Sequence, residues 1–393
     1  MMDIFCVLSQ ATGVTEQALR EAVLRSASHN DGADLSRVQR VLRKAACGET
    51  ITVAGLGGSI TQGVAAKSYG NGRGNNAREF SDALGGEKCW LDRTADSLRL
   101  RYPASQVTSV NAGIGATPSF LGTFRMDRMV LQHKPDLVFV EFSVNDPSTH
   151  AFLLENEIFD AYESIVRKLL EADVAVVLVF LNDRDNNGLQ RIHSKIAHHY
   201  GVPAVSYHDA VYPEGKLICD WIKLSPDEIH PNNVGHTLLA ACVEHFFETA
   251  LAAPEMEPYP IPESWLYRDT FHKVYATYAD EFRDNATGAL EFHTDTPDCF
   301  KWFGTLVSSG MGQVTIPIPA GAKRIWVQYH HDTGAFETEL DSQQTVCNTA
   351  PIGWPRVMWH RVYTGAAISA ERTLTIRTHK AGQTVILGVL VAF

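Results

Sequence analysis

Basic side chains are in short supply. Across 393 residues, 34 Lys and Arg stand against 45 Asp and Glu, a formal charge of −11 with an isoelectric point near 5.8. Proteins that grip a phosphate backbone usually carry a basic face, so nucleic acid is not expected as a partner. Long apolar runs are missing as well. The longest purely apolar run, Val174 to Leu181, falls far short of the ~20 residues a membrane-spanning helix needs, so no membrane association is expected. The chain opens Met1-Met2-Asp3-Ile4-Phe5-Cys6, with an acid where a secretory leader wants a base. No leader is read, and a cytoplasmic protein is expected. Paired cysteines are also lacking. The seven present (Cys6, Cys47, Cys89, Cys219, Cys242, Cys299 and Cys347) are scattered, and none forms a C-x-x-C pair. That spacing suggests neither a zinc knuckle nor a dithiol redox site, and free buried thiols in a reducing compartment are expected.

What is present is enough apolar character for real cores. Hydrophobic residues make up 45% and charged residues 20%, which excludes wholesale disorder, and the length suits two or three domains. Residues 1–49 read as a helical segment, because Thr15–Leu24 and Leu35–Leu42 space apolar residues at three and four, with Gly48 as a stop. From Ile51 short apolar runs alternate with amphipathic stretches. The expected strands are Ile51–Leu56, Val107–Val110, Leu137–Phe142, Val174–Phe180 and Val202–Ser206. The expected helices are Ala77–Tyr102, Ser119–His133, Ala151–Ala172, Gly188–Tyr200 and Asn233–Leu251. Nearly all-apolar strands alternating with helices predict a parallel five-stranded sheet covered on both faces, a three-layer α/β/α domain over 50–252.

Pro254, Pro258, Pro260 and Pro262 then forbid helix and ladder alike. They predict a linker or surface strap over 253–289. Beyond it, Gln313–Ile316, Arg324–Tyr329, Leu374–Arg377 and Val385–Phe393 alternate apolar and polar residues. A C-terminal all-β domain, a sandwich of jelly-roll type, is expected over 290–393.

Four stretches of the α/β region lie where ligands collect, at the carboxyl ends of strands. Gly57-Gly58-Ser59-Ile60-Thr61-Gln62-Gly63 follows the first strand. It is not a P-loop, because no lysine comes before Lys67. Ile60 breaks the dinucleotide pattern, and Thr61 breaks a Gly-x-Ser-x-Gly elbow. Asn111-Ala112-Gly113-Ile114-Gly115 follows the second strand and can offer a backbone N–H to a substrate oxygen. Glu141-Phe142-Ser143-Val144-Asn145-Asp146 closes the third and can offer a side-chain amide. Ser225-Pro226-Asp227-Glu228-Ile229-His230-Pro231 precedes the last helix. Its histidine is a base near neutral pH, and an aspartate three residues earlier can fix the ring tautomer. Taken singly, each stretch has a plain structural reading: Ser59 as a helix cap, Gly115 as a turn, Asn145 as an Asx-turn. A metal at Asp227 and His230 would need further ligands, and no third cluster presents itself.

The order and placement of the four blocks resemble the SGNH hydrolase superfamily, the GDSL-type esterases, over about 50–250. Ser59, Gly115 and Asn145 match the first three blocks, and Asp227 with His230 and Pro231 matches the last. Block one departs from Gly-Asp-Ser-Leu and reads Gly-Gly-Ser-Ile-Thr. The resemblance implies a flavodoxin-like fold and a Ser59–His230–Asp227 triad. It also implies an oxyanion hole made of the Ser59 and Gly115 N–H groups and the Asn145 amide, with neither metal nor organic cofactor. Nearby polar residues have plainer readings. Asp146 is expected to bond its own turn, Glu228 to be solvated, His236 to pack, and Arg125 and Arg128 to form surface ion pairs.

Substrate is less directly written. The β region carries Trp302, Trp326, Trp354 and Trp359, and exposed rings can stack on sugar faces. Trp354, in Ile352-Gly353-Trp354-Pro355, is expected to be the most exposed, with Trp359 next. A catalytic domain followed by a β-sandwich is similar to bacterial SGNH esterases that remove acetyl groups from plant-polysaccharide fragments. The resemblance therefore implies an O-acetyl esterase acting on an acetylated oligosaccharide, manno- or xylo-type. A general short-acyl esterase, lysophospholipase or thioesterase is the alternative within catalysis, and a sugar-binding protein with a vestigial site is the alternative outside it. Oligomeric state is not indicated.

Overall fold

The computed structural model describes residues 3–67, 74–149, 156–294, 303–330, 334–348, 357–379 and 383–393. The chain divides into two compact units, Met1–Arg268 and Asp269–Phe393.

The first unit begins with three helices, α1 (Ile4–Thr12), α2 (Glu16–Arg25) and α3 (Ser36–Ala46). They are not a separate segment. Val7, Leu8, Leu19, Val38 and Leu42 are buried in the same core as the sheet that follows. That sheet consists of β1 (Ile51–Gly57), β2 (Val107–Gly113), β3 (Leu137–Glu141), β4 (Ala175–Phe180) and β5 (Ala204–Ser206). The order is β2-β1-β3-β4-β5, and every pairing is parallel. All residues of β3 and β4 are buried, as the unbroken apolar runs require of strands covered on both faces.

The helices between them are α4 (Ser59–Gln62), α5 (Trp90–Arg101), α6 (Ser119–Met129), α7 (Asn145–Thr149), α8 (Glu157–Glu171), α9 (Gln190–Tyr200), α10 (Tyr207–Val211) and α11 (Asn233–Ala252). The expected helix Ala77–Tyr102 is shorter than its periodicity suggested. Only Arg78–Phe80 forms a 3₁₀ turn before α5. Gly85 and Gly86 lie between them at φ +77° and +101°, left-handed backbone that ends a helix. Chain order reverses at β1, which has β2 on one side and β3 on the other. The crevice at the carboxyl ends of β1 and β3 is thus the topological switch point, where such sheets bind ligands.

The proline-rich stretch after α11 is a strap on this unit. Tyr259 donates its N–H to buried Asp34 at 2.8 Å. Leu266 and Tyr267 donate theirs to fully buried Glu163 at 2.6 and 2.7 Å. Side chains thus accept the N–H groups that no ladder could satisfy. The expected linker ends earlier than residue 289, because the second unit starts at Asp269.

The second unit is antiparallel. Its strands are β6 (Val274–Tyr278), β7 (Ala286–His293), β8 (Thr305–Ile318), β9 (Arg324–His330), β10 (Ala335–Leu340), β11 (Gln343–Asn348), β12 (Val357–Thr364), β13 (Arg372–Thr378) and β14 (Thr384–Ala392). They form one sheet along β11-β10-β13-β8-β14-β9-β12, with β6 on β14 and β7 on β8. Long β8 changes partner, from β14 at Leu306–Ser308 to β13 at Gly312–Ile318. The sheet wraps a core that includes Val314, Ile316, Ile325, Val327, Leu374 and Ile376. Strands β6 and β7 belong to this sheet, so the β domain begins before residue 290.

Candidate active site

β1 ends in two glycines that let the chain turn into α4, with Ser59 as the first helical residue. Being first, its N–H has no partner within the helix. The turn fits only because side chains are missing nearby. A Cβ on Gly113 would lie 2.3 Å from the Gln62 nitrogen, so β2 can approach the elbow only as glycine. A Cβ on Gly58 would lie 2.0 Å from Asn145 Oδ1, which measures how tightly the block-three amide packs against the backbone before Ser59.

Asp227 and His230 come from the loop before α11. Ser225 Oγ lies 2.7 Å from the carbonyls of both Asp227 and His230 and braces the loop. Asn232 then caps α11, accepting from Val234 N and Gly235 N at 2.9 and 3.0 Å. Asp227 Oδ1 accepts from the N–H groups of Ile229 and His230 at 2.8 and 2.7 Å. Its Oδ2 lies 2.8 Å from His230 Nδ1, and His230 Nε2 lies 2.9 Å from Ser59 Oγ. Residues 171 positions apart are therefore in direct hydrogen-bond contact. Burial opposes the charge on Asp227, but the His230 ring and the two backbone donors outweigh it and hold the carboxyl at about 2. An ionised Asp227 keeps a proton on Nδ1 and leaves Nε2 free to accept.

Gly115 follows β2. A Cβ placed on it would sit 3.6 Å from Ser59 Cβ, so its backbone adjoins Ser59. The structure thus brings Ser59, Gly115, Asn145, Asp227 and His230 to one place. Trp354 lies outside the described residues. Trp359, ranked next after Trp354 for exposure, is only 7% exposed. Val357, Met358 and Trp359 are buried in succession at the start of β12, so the alternation that would have turned one face to solvent does not operate there.

Three further side chains shape the site. Arg125, expected in a surface ion pair, is buried. It donates to the carbonyls of Gly57 (2.7 Å) and Ala112 (3.3 Å) and to Thr117 Oγ1 (3.0 Å), tying together the strand ends that carry Ser59 and Gly115. Asp146 is fully buried and reaches beyond its own turn, to the N–H of Ser119 at 2.8 Å and His193 Nε2 at 3.1 Å. Glu141, the last residue of β3, is fully buried and accepts from Thr61 Oγ1 at 2.9 Å and Gly58 N at 3.4 Å. Burial, with a smaller push from Asp146, raises its carboxyl to about 8 against the pull of those two hydrogen bonds. A single acid ending an otherwise apolar strand was the signal for it. His236 packs as expected: it is buried, and its Nδ1 accepts from Trp90 N at 3.1 Å. Glu228 is exposed beside Arg184, at 3.4 Å.

This crevice, at the switch point of a parallel sheet and holding a serine–histidine–aspartate line, defines a hydrolase of the SGNH type. Residues 56–238 match the GDSL-like lipase/acylhydrolase family. That match lies within the α/β unit, and together with the two-domain likeness below it makes the chain a carboxylic ester hydrolase. The likeness to solved structures reaches both units. A two-domain esterase (CEX) active on acetylated mannans, co-crystallised with mannopentaose, is 25% identical, with a TM-score of 0.70 over 92% of this chain and 95% of that one. A second structure described as a two-domain esterase (CEX) active on acetylated mannans is 24% identical, with a TM-score of 0.72 over 92% and 96%. No curated protein matches the chain in sequence.

Proposed function

We propose that the protein is a serine esterase that removes O-acetyl groups from acetylated oligosaccharides, manno-oligosaccharides first, through an acyl-enzyme. The observation that carries the mechanism is the hydrogen-bonded line from Asp227 through His230 to Ser59 Oγ. As Oγ attacks the ester carbonyl, His230 Nε2 takes its proton and the carbonyl electron pair moves onto oxygen. Asp227 keeps the ring in place and stabilises the imidazolium. The N–H groups of Ser59 and Gly115 and the Asn145 amide receive the oxyanion, each such donor being worth roughly 2.7–4 kcal/mol of barrier. When the tetrahedral adduct collapses, the C–O bond to the sugar breaks and His230 protonates the departing hydroxyl. Water then gives a proton to His230, attacks the acetyl-serine, and acetate leaves as Ser59 recovers its proton.

The sugar assignment draws its support from the 25% identical esterase active on acetylated mannans, whose likeness spans catalytic and β units alike. Mass spectrometry of acetylated manno-oligosaccharides before and after incubation tests it. Loss of acetyl mass with the native protein, and none with Ser59→Ala, is the expected result. Activity on p-nitrophenyl esters that climbs steadily with acyl length, without loss of acetyl from the oligosaccharides, would overturn it.

A further inference from the structure

One donor assigned to the oxyanion is already engaged. The Gly115 N–H donates to Oε1 of Gln62 at 2.8 Å. Gln62 ends α4, three residues after Ser59, so the two side chains occupy neighbouring positions on that single turn. A Cβ on Gly115 would meet Gln62 Oε1 at 3.0 Å and Ser59 Cβ at 3.6 Å, which puts the amide oxygen, the N–H and the nucleophile in one small space. The backbone beneath is held: Asn111 Nδ2 donates to the Thr61 carbonyl at 2.7 Å, and the Gln62 N–H donates to Gly58 O at 3.0 Å. The Gln62 side chain itself is only partly buried.

We propose that Gln62 is a built-in plug of the oxyanion hole, its amide oxygen standing where the substrate carbonyl oxygen must go. The inference rests on the serine-esterase reading above. An amide oxygen and an ester carbonyl oxygen are both neutral acceptors, so exchanging one for the other gains little. The tetrahedral intermediate presents an anion, and hydrogen bonds to anions are roughly twice as strong. The plug therefore yields to the transition state far more readily than to bound ester, and it keeps the partly buried Gly115 N–H satisfied between turnovers. It stabilises the free enzyme and has no counterpart in the transition state, so its removal raises kcat/KM, which measures that difference.

The test compares the native protein with Gln62→Ala and with Gln62→Met, which keeps chain length but has no strong acceptor. One net hydrogen bond predicts that kcat/KM for p-nitrophenyl acetate rises about 2- to 10-fold in both. Amide hydrogen exchange at Gly115, followed by NMR or peptide mass spectrometry, should accelerate in both. Gln62→Glu should act in the opposite sense, lowering kcat/KM more than about tenfold, because a carboxylate binds the N–H more strongly and sets a charge beside the forming oxyanion. A kcat/KM that is unchanged or reduced in both Ala and Met variants, or unaltered Gly115 exchange, overturns the plug. The two readings fail separately. Absence of Ser59-dependent ester hydrolysis in the native protein refutes the esterase mechanism, while the exchange measurement still decides whether Gln62 covers the N–H.

Discussion

Replacing Asp227 by Asn probes the proton relay at its far end. In the native loop Oδ1 accepts from the N–H groups of Ile229 and His230, and Oδ2 faces His230 Nδ1 at 2.8 Å. Asparagine keeps one acceptor, and the two backbone donors hold that oxygen on the Oδ1 side. The NH₂ group must then take the Oδ2 place, opposite Nδ1. Two donors cannot face each other, so the ring carries its proton on Nε2, aimed at Ser59 Oγ, and loses its capacity as a base. Recovering the productive tautomer forfeits a charge-assisted hydrogen bond, about 1.5–3 kcal/mol, and leaves buried donors opposed, about 1–3 kcal/mol more. The sum corresponds to a fall in kcat of roughly 10²–10⁴. Initial rates on p-nitrophenyl acetate measure the loss, and a thermal melt close to native would show that the loop survives, since Ile229 and His230 keep their acceptor. A loss below tenfold with an unchanged melt would refute the tautomer argument.

Other expectations concern the groups behind the nucleophile. The Glu141 carboxyl is raised from 4.5 to about 8, so the stability it contributes is present below pH 4.5 and is lost as pH rises through 8. The native melting temperature should fall between pH 6 and pH 9 by an amount reflecting a few kcal/mol, and Glu141→Gln should flatten that slope; parallel curves would contradict the raised carboxyl. Arg125→Met strips donors from the Gly57 carbonyl and Thr117 Oγ1 in a buried setting and should cost about 2–5 kcal/mol in denaturant unfolding. Gly58→Ala would drive a Cβ to within 2.0 Å of Asn145 Oδ1 and displace that amide. Its kcat should fall about 10²–10³-fold, as for Asn145→Ala, and a variant retaining a third of native turnover would remove Asn145 from the oxyanion hole.

The parts of this architecture that sequence displays are those whose physics is local. Strands β1–β5 were legible because strands covered on both faces must be almost wholly apolar. Asp227 and His230 were legible because the carboxylate stands three positions before the ring it orients. Arg125 was not, since its burial depends on carbonyls at the ends of two distant strands, a match that no helical periodicity encodes. The Ala77–Tyr102 stretch misled for a related reason: apolar spacing continued across Gly85 and Gly86, while backbone conformation decided the matter. Trp359 sits where three successive residues of β12 are buried, which the alternation of its neighbours did not reveal. Gln62 had a faint signal, a polar residue one turn from the nucleophile, but its pairing with Gly115 exists only once β1 and β2 lie side by side.

The proline strap also sets where this polypeptide can be cut. Asp34 and Glu163 are carboxylates inside the α/β unit, and the strap supplies backbone donors to both through Tyr259, Leu266 and Tyr267. A truncated version ending with the last helix at Ala252 would remove those donors from two buried acids while leaving every catalytic-site residue in place. Isolating the hydrolase half for study therefore means carrying the chain through Arg268, even though the family signature stops thirty residues earlier, at residue 238.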